Sequence, residues 1–246
     1  MNKMDPHVVK AMQREHEREK EERRRSGQVW LEAKPLLDAL EAAGINPSDF
    51  GSFGWASFST FDFGRAAPIL IDWLPRVSDK RVKQAMVRSL VDQKAAQGEG
   101  TRPLIAEFQR PDYADDAGLK WAIGNTVATL ALPEDADAII EILRDPRHGR
   151  AREMFCDALV RTRDPRRVDV LIELIDDDDL AGHAIAALRQ CTYRRRVHQP
   201  ERVRPKLEAL LSRGGASGLM GSGPGPFAKR QARNALKAID RSEGAS

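Results

Sequence analysis

Apolar residues recur along this chain in one helical register, written five times between about residue 63 and residue 241. The first stretch of each unit places them at i+3, i+4 and i+7 from a usually small or apolar start. The sets are Ala67/Leu70/Ile71/Leu74, Thr101/Leu104/Ile105/Phe108, Ala136/Ile139/Ile140/Leu143 and Val168/Leu171/Ile172/Ile175, with a looser fifth at Val203/Leu207/Leu210/Leu211. A second stretch follows each: Met86/Val87/Leu90, Ile123/Gly124/Val127, Phe155/Cys156/Leu159, Ala184/Ile185/Leu188 and Ala235/Leu236/Ile239. Such spacing gathers side chains onto one helix face. A single helix pair cannot bury that face alone, so pairs recurring every thirty-odd residues predict stacking into a solenoid. The expected fold is all-α: a right-handed α-solenoid of about five helix pairs behind an N-terminal helical and aromatic cap.

Turn chemistry marks the boundaries. Asp164-Pro165 predicts an N-cap followed by proline at the first helical position, and Pro103, Pro133 and Pro200 punctuate other unit starts. Anchors Leu90, Val127, Leu159, Leu188 and Leu236 are spaced by 37, 32, 29 and 48 residues. The longest step holds a Gly-rich insertion over 214–226, which reads as flexible and lacks the Gly-Lys-Ser/Thr ending of a P-loop.

Four segments are expected. Residues 1–27 form a charged helix or arm in which acidic groups nearly cancel the basic ones. Residues 28–62 contain a helix over 28–43, ended by Gly44 as C-cap, then an aromatic stretch over 50–63 with no helical period. That stretch reads either as a cover for the open end of the first layer or as an exposed binding loop. The repeats occupy 63–241, and 242–246 are a tail.

The chain is 246 residues long, with 41% hydrophobic and 31% charged residues, which suits a soluble helical protein with wide exposed faces. No run of eighteen apolar residues predicts a membrane span, and the charged start lacks a signal peptide's apolar core. Cys156 and Cys191 read as reduced thiols in a cytoplasmic protein. The net charge of +3 is unevenly spread: residues 192–246 carry twelve Lys/Arg against four Asp/Glu. An acidic body with a basic C-terminal end points to an acidic or polyanionic contact there.

The segments EDADAIIEILRDPRHGRAREMFCDALVRTR and DPRRVDVLIELIDDDDLAGHAIAALRQC resemble the short HEAT-like repeats of phycobilin lyase subunits and of bacterial scaffold proteins. In that pattern Asp-Pro opens the first helix, a leucine-rich stripe and an acidic turn follow, and Ala-x-x-Ala-Leu closes the second helix. LKWAIGN, RHGRAREM and AGHAIAAL are similar to an uncharacterised bacterial HEAT-like group. The resemblance covers about 63–240 and implies a fold rather than a function. It also implies that the second helices line a concave surface. No lyase site is carried over residue by residue.

Stacking the anchors puts Gln84, Trp121, Glu153 and Gly182 at equivalent positions, with Arg88, Asn125, Asp157 and Ala186 one turn further on. Arg88, Trp121, Asn125, Glu153 and Asp157 are therefore the expected partner-binding ladder, a mixed polar groove with one aromatic anchor, and His183 is added to the set beside them. The alternative is a solvated face with Trp121 partly buried between units. His148 and His183 open second helices, as Lys120-Trp121 does, yet lack Cys or His partners at ligand spacing, so no metal or cofactor is expected. Asp176–Asp179 lack the calcium-loop pattern and read as a turn that favours the next helix through its dipole. No nucleophile–base–orienter set emerges, so the chain is expected not to be an enzyme.

Arg194, Arg195, Arg196, Arg202, Arg204, Lys229, Arg230 and Arg233 form a candidate polyanion-binding set, with Lys206 and Lys237 beside them. The expected function is a non-catalytic scaffold that recognises a partner protein. A nucleic-acid-binding solenoid using the basic end is the competing class, and a lyase-like enzyme subunit is the third.

Overall fold

The structure, a computed structural model, describes residues 27, 31–46, 62–91, 99–113, 116–192, 197–213 and 224–243. Every regular element among them is helical, so the chain is all-α over the described residues. It divides into two compact units, residues 1–89 and 90–246. Residues 1–26, most of the aromatic stretch, Arg194–Arg196 and most of the Gly-rich insertion lie outside the described residues.

The first unit holds α1 (31–42), α2 (Phe63–Trp73) and α3 (Lys80–Ser89). Gly44 ends α1 as expected. Its φ of 72° is left-handed, and the amides of Gly44 and Ile45 turn back onto the carbonyls of Glu41 and Leu40 at 2.8 and 2.9 Å. Asp62 caps α2 by accepting the Arg65 amide at 3.1 Å. Asp79 does the same for α3 with the Val82 amide at 3.0 Å. Glu32 of α1 accepts the Ser78 and Asp79 amides at 2.8 and 2.6 Å as well as the Ser78 hydroxyl. The Ser78 hydroxyl, foremost among these donors, holds the Glu32 carboxyl below its usual range.

The second unit contains α4 (Thr101–Phe108), α5 (Ala117–Leu130), α6 (Ala136–Arg144), α7 (Phe155–Thr162), α8 (Arg167–Glu173), α9 (Ala181–Gln190), α10 (Pro200–Ser212) and α11 (Pro226–Glu243). Each first helix contacts its second: α4 with α5, α6 with α7, α8 with α9, α10 with α11. The second helices also touch in succession, α5 to α7 to α9 to α11. The core follows the sequence stripe closely. Leu104, Ile105, Phe108, Ile139, Ile140, Leu143, Leu171, Ile172 and Ile175 are buried from the first helices, and Ile123, Phe155, Cys156, Leu159, Ile185 and Leu188 from the second. Val168, Leu211 and Leu236 are only half-buried.

Helix α8 begins later than the Asp164-Pro165 signal suggests. The Asp164 carboxylate accepts the Arg166 amide at 2.8 Å, closing a turn, and regular helix starts at Arg167. Pro165 has no amide to offer, so the cap reaches past it.

Two glycines let second helices approach closely. A Cβ on Gly124 would lie 3.1 Å from the Met154 Cβ at the start of α7. One on Gly182 would lie 2.4 Å from the Phe227 ring on α11. Behind these contacts runs an arginine. Arg152 is almost wholly buried and donates to the carbonyls of Gly149 at 2.8 Å and Leu143 at 2.7 Å, and to the Asp177 carboxylate at 2.9 Å. It ties the end of α6, the 3-10 turn Pro146–Arg152 and the acidic turn before α9 into one joint.

Candidate functional site

The outward edge of the second helices is set by what their inward edge must bury. On α5, Leu119, Ala122, Ile123, Thr126 and Val127 turn inward. Trp121 and Asn125, one turn apart, fall on the opposite side. Trp121 is 48% exposed. Among the described residues only Leu31 joins it as a large apolar side chain open to solvent. On α7 the corresponding edge carries Asp157, with Glu153 in the turn just before the helix; on α9 it carries His183, Ala186 and Gln190.

These edge residues are linked from helix to helix. His183 Nε2 lies 3.5 Å from Glu153 Oε2, and Arg150 holds the other oxygen of that carboxylate at 3.0 Å. Gln190 donates to Asp157 Oδ1 at 2.8 Å across α9 and α7. The His183 ring also packs on Phe227, 5.0 Å between centroids. Glu153 with His183, and Asp157 with Gln190, thus form two polar contacts between the α7 and α9 edges, beyond Trp121 and Asn125 on α5. Arg88 belongs to the first unit and is half-buried on α3.

A pocket of about 350 Å³ opens between α9 and α11, lined by Ala186, Arg189, Gln190, Gln231 and Asn234. The Arg189 Nε is buried and makes no hydrogen bond. Sequence reasoning passed over this pocket, because its walls come from helices some forty residues apart and amide side chains carry no motif.

The basic end divides in two. Arg202 pairs with Asp169 at 2.6 Å, Arg204 with Asp240 and Glu243 at 2.7 and 2.8 Å, Lys206 with Asp176, and Arg213 with Asp178 at 3.0 Å. Their charges are offset within the chain, and three of these contacts use the α8 side and its acidic turn. On α11 the situation differs. Arg230 stacks over the Phe227 ring at 5.3 Å, while Lys229, Arg233 and Lys237 form no ion pair among the described residues. Arg194, Arg195 and Arg196 lie outside the described residues.

A second polar cluster sits where α4, α5 and the 3-10 turn meet. Lys120 is buried, its Nζ is 3.1 Å from His148 Nδ1, and it stands 5.0 Å above the Phe108 ring. An ammonium has only donors, so Nδ1 must accept and the imidazole proton belongs on Nε2. That nitrogen faces the Asp145 carboxylate at 3.6 Å. Burial, then the Lys120 charge, pushes His148 below its usual value. Arg147 in turn holds Asp145 well below the usual carboxylate range. Lys120 and His148 thus pack against each other, while His183 lies half-buried on the α9 edge beside Glu153.

No protein-family model, curated protein or solved structure matches this chain. Among the described residues no group of three or more His, Cys, Asp or Glu is arranged to hold a metal, and no helix is long and apolar enough to cross a membrane.

Proposed function

We propose that this chain is a non-catalytic scaffold that holds a partner protein along the exposed edge of its second helices. In this reading the helix pairs continue as a right-handed stack of HEAT-like repeats, and the edge carrying Trp121, Asn125, Glu153, Asp157 and His183 is its concave side. The observation that carries the reading is Trp121. An indole left half open on a helix whose other large apolar groups are covered is the kind of residue that anchors protein interfaces. The polar contacts beyond it supply fixed donors and acceptors, since Glu153 and Asp157 are already oriented by His183 and Gln190.

The nucleic-acid reading is weakened by Arg202, Arg204 and Lys206, whose charges are engaged by carboxylates of the chain itself. Affinity capture from native lysate, with and without nuclease, separates the two. A nuclease-resistant polypeptide should be retained by wild type and by Leu31→Ala but lost from Trp121→Ala. Recovery that depends on nucleic acid and ignores Trp121 would move the functional surface to the basic end.

A further inference from the structure

We infer that the pocket between α9 and α11 is a carboxylate-binding site, and that the segment it takes is an acidic peptide. This rests on the scaffold reading above and specifies the chemistry of the partner. Arg189 lines the pocket, and no carboxylate among the described residues pairs with its guanidinium. The guanidinium fork matches a carboxylate in geometry and charge. Gln231 and Asn234 line the facing wall, and amides of that kind offer donors to the carboxylate and acceptors to a peptide N–H.

The rim reinforces the choice. Arg230 lies four residues before Asn234 and Lys237 three after it, so both flank it on the α11 surface. Both are exposed, and neither forms an ion pair among the described residues. Helix α11 is basic along this side, and its two acidic residues, Asp240 and Glu243, are both engaged by Arg204. A nucleic acid fits less well. Asp157, tied to Gln190 at the pocket edge, and Glu153 on the α7 edge would repel a continuous phosphate backbone, whereas a peptide can place its carboxylates over Arg189 and its neutral residues beside them.

Fluorescence anisotropy on the full-length chain tests this with three labelled probes: a capped peptide of alternating Glu and Ala, the same peptide with Gln for Glu, and oligo-dT. The Glu peptide should bind about tenfold or more tighter than the Gln peptide. Arg189→Gln should remove most of that advantage. Lys237→Ala, an exposed change that leaves the fold alone, should weaken binding about two- to threefold. Leu31→Ala, an exposed change on α1, should leave the short peptide's affinity unchanged. Equal binding of both peptides, no measurable binding of the Glu peptide, or indifference to both Arg189→Gln and Lys237→Ala would each overturn the proposal. So would tighter binding of oligo-dT, which would turn the same surface into a nucleic-acid site. If Trp121→Ala loses the captured protein while Arg189→Gln keeps it, the scaffold reading stands and the acidic-peptide assignment falls. If the Glu peptide binds through Arg189 but Trp121→Ala loses no captured protein, the carboxylate pocket stands and the Trp121 scaffold reading falls.

Discussion

Lys120 and His148 share a contact that works only while the imidazole is neutral, because a second proton would set two cationic donors face to face at 3.1 Å. The fold lowers the His148 value from its ordinary 6.5, so between the two values the unfolded chain takes up the proton and the folded chain does not. The contribution is therefore present above about 6.5 and is lost as pH falls through the lowered value. Melting temperature should drop between about pH 7 and pH 5, and His148→Gln should flatten that slope. A slope unchanged by His148→Gln would place the acid sensitivity elsewhere. Cys156 gives a second test. Burial raises its thiol far above the usual value, and raises Cys191, which is only half-buried, in the same direction. A thiol reagent should therefore label Cys191 slowly in the native protein and Cys156 only after denaturation.

Arg152 acts on elements rather than on a neighbour, since its three contacts belong to the end of α6, to the following turn and to the turn before α9. Arg152→Met should cost about 3 kcal/mol by denaturant titration, because two carbonyls lose their donor and Asp177 its counter-charge. Arg144→Ala, which breaks an exposed pair with Glu173, should cost under about 1 kcal/mol. The contrast shows what the sequence could reveal. The stripe from Leu104 to Leu188 and the Gly44 cap were legible, because burial and left-handed backbone each demand recognisable residue types. The acidic turn, read as a dipole partner of α9, has its carboxylates on Arg152, Lys206 and Arg213 instead. Arg152 and Lys120 were not legible: in sequence a cation on a helical repeat looks like surface, and only the carbonyls, carboxylate and imidazole brought to it by other elements let it go inside. Of the candidate site, the edge residues Trp121, Asn125, Glu153 and Asp157 followed from register, whereas the Arg189 pocket depends on how closely α9 and α11 meet. Gly182 sets that approach. Gly182→Ala should push Phe227 aside and disturb its contact with His183, visible as a shift of the His183 ring resonances that Gly64→Ala, with no neighbour nearer than 3.4 Å, does not produce.

Within the second unit, charge pairs the α8 side and its acidic turn with the α10 segment that follows. The acidic stretch through Asp169, Asp176 and Asp178 meets Arg202, Lys206 and Arg213, so the excess of basic residues in 192–246 is partly absorbed by the chain before any partner arrives. Each exposed pair contributes under about 1 kcal/mol and is screened by salt. Raising ionic strength should accordingly speed amide exchange in α10 while leaving α5, whose cover is mainly apolar, unchanged. Equal acceleration of both would mean that the pairs do not secure α10. Among the described residues, the cations of 192–246 that form no ion pair sit on α11, beside the Arg189 pocket.

Gly182 also occupies the register position that Trp121 and Glu153 hold on the preceding second helices, and there the Phe227 ring stands where a side chain of α9 would be. The row that opens with an indole is closed by a phenyl borrowed from the next helix. In the scaffold reading proposed above, a row with unlike ends would have a direction: a bound segment laid backwards would offer its anchor to the closed end, so such a surface would read the order of a partner's residues and not merely their composition.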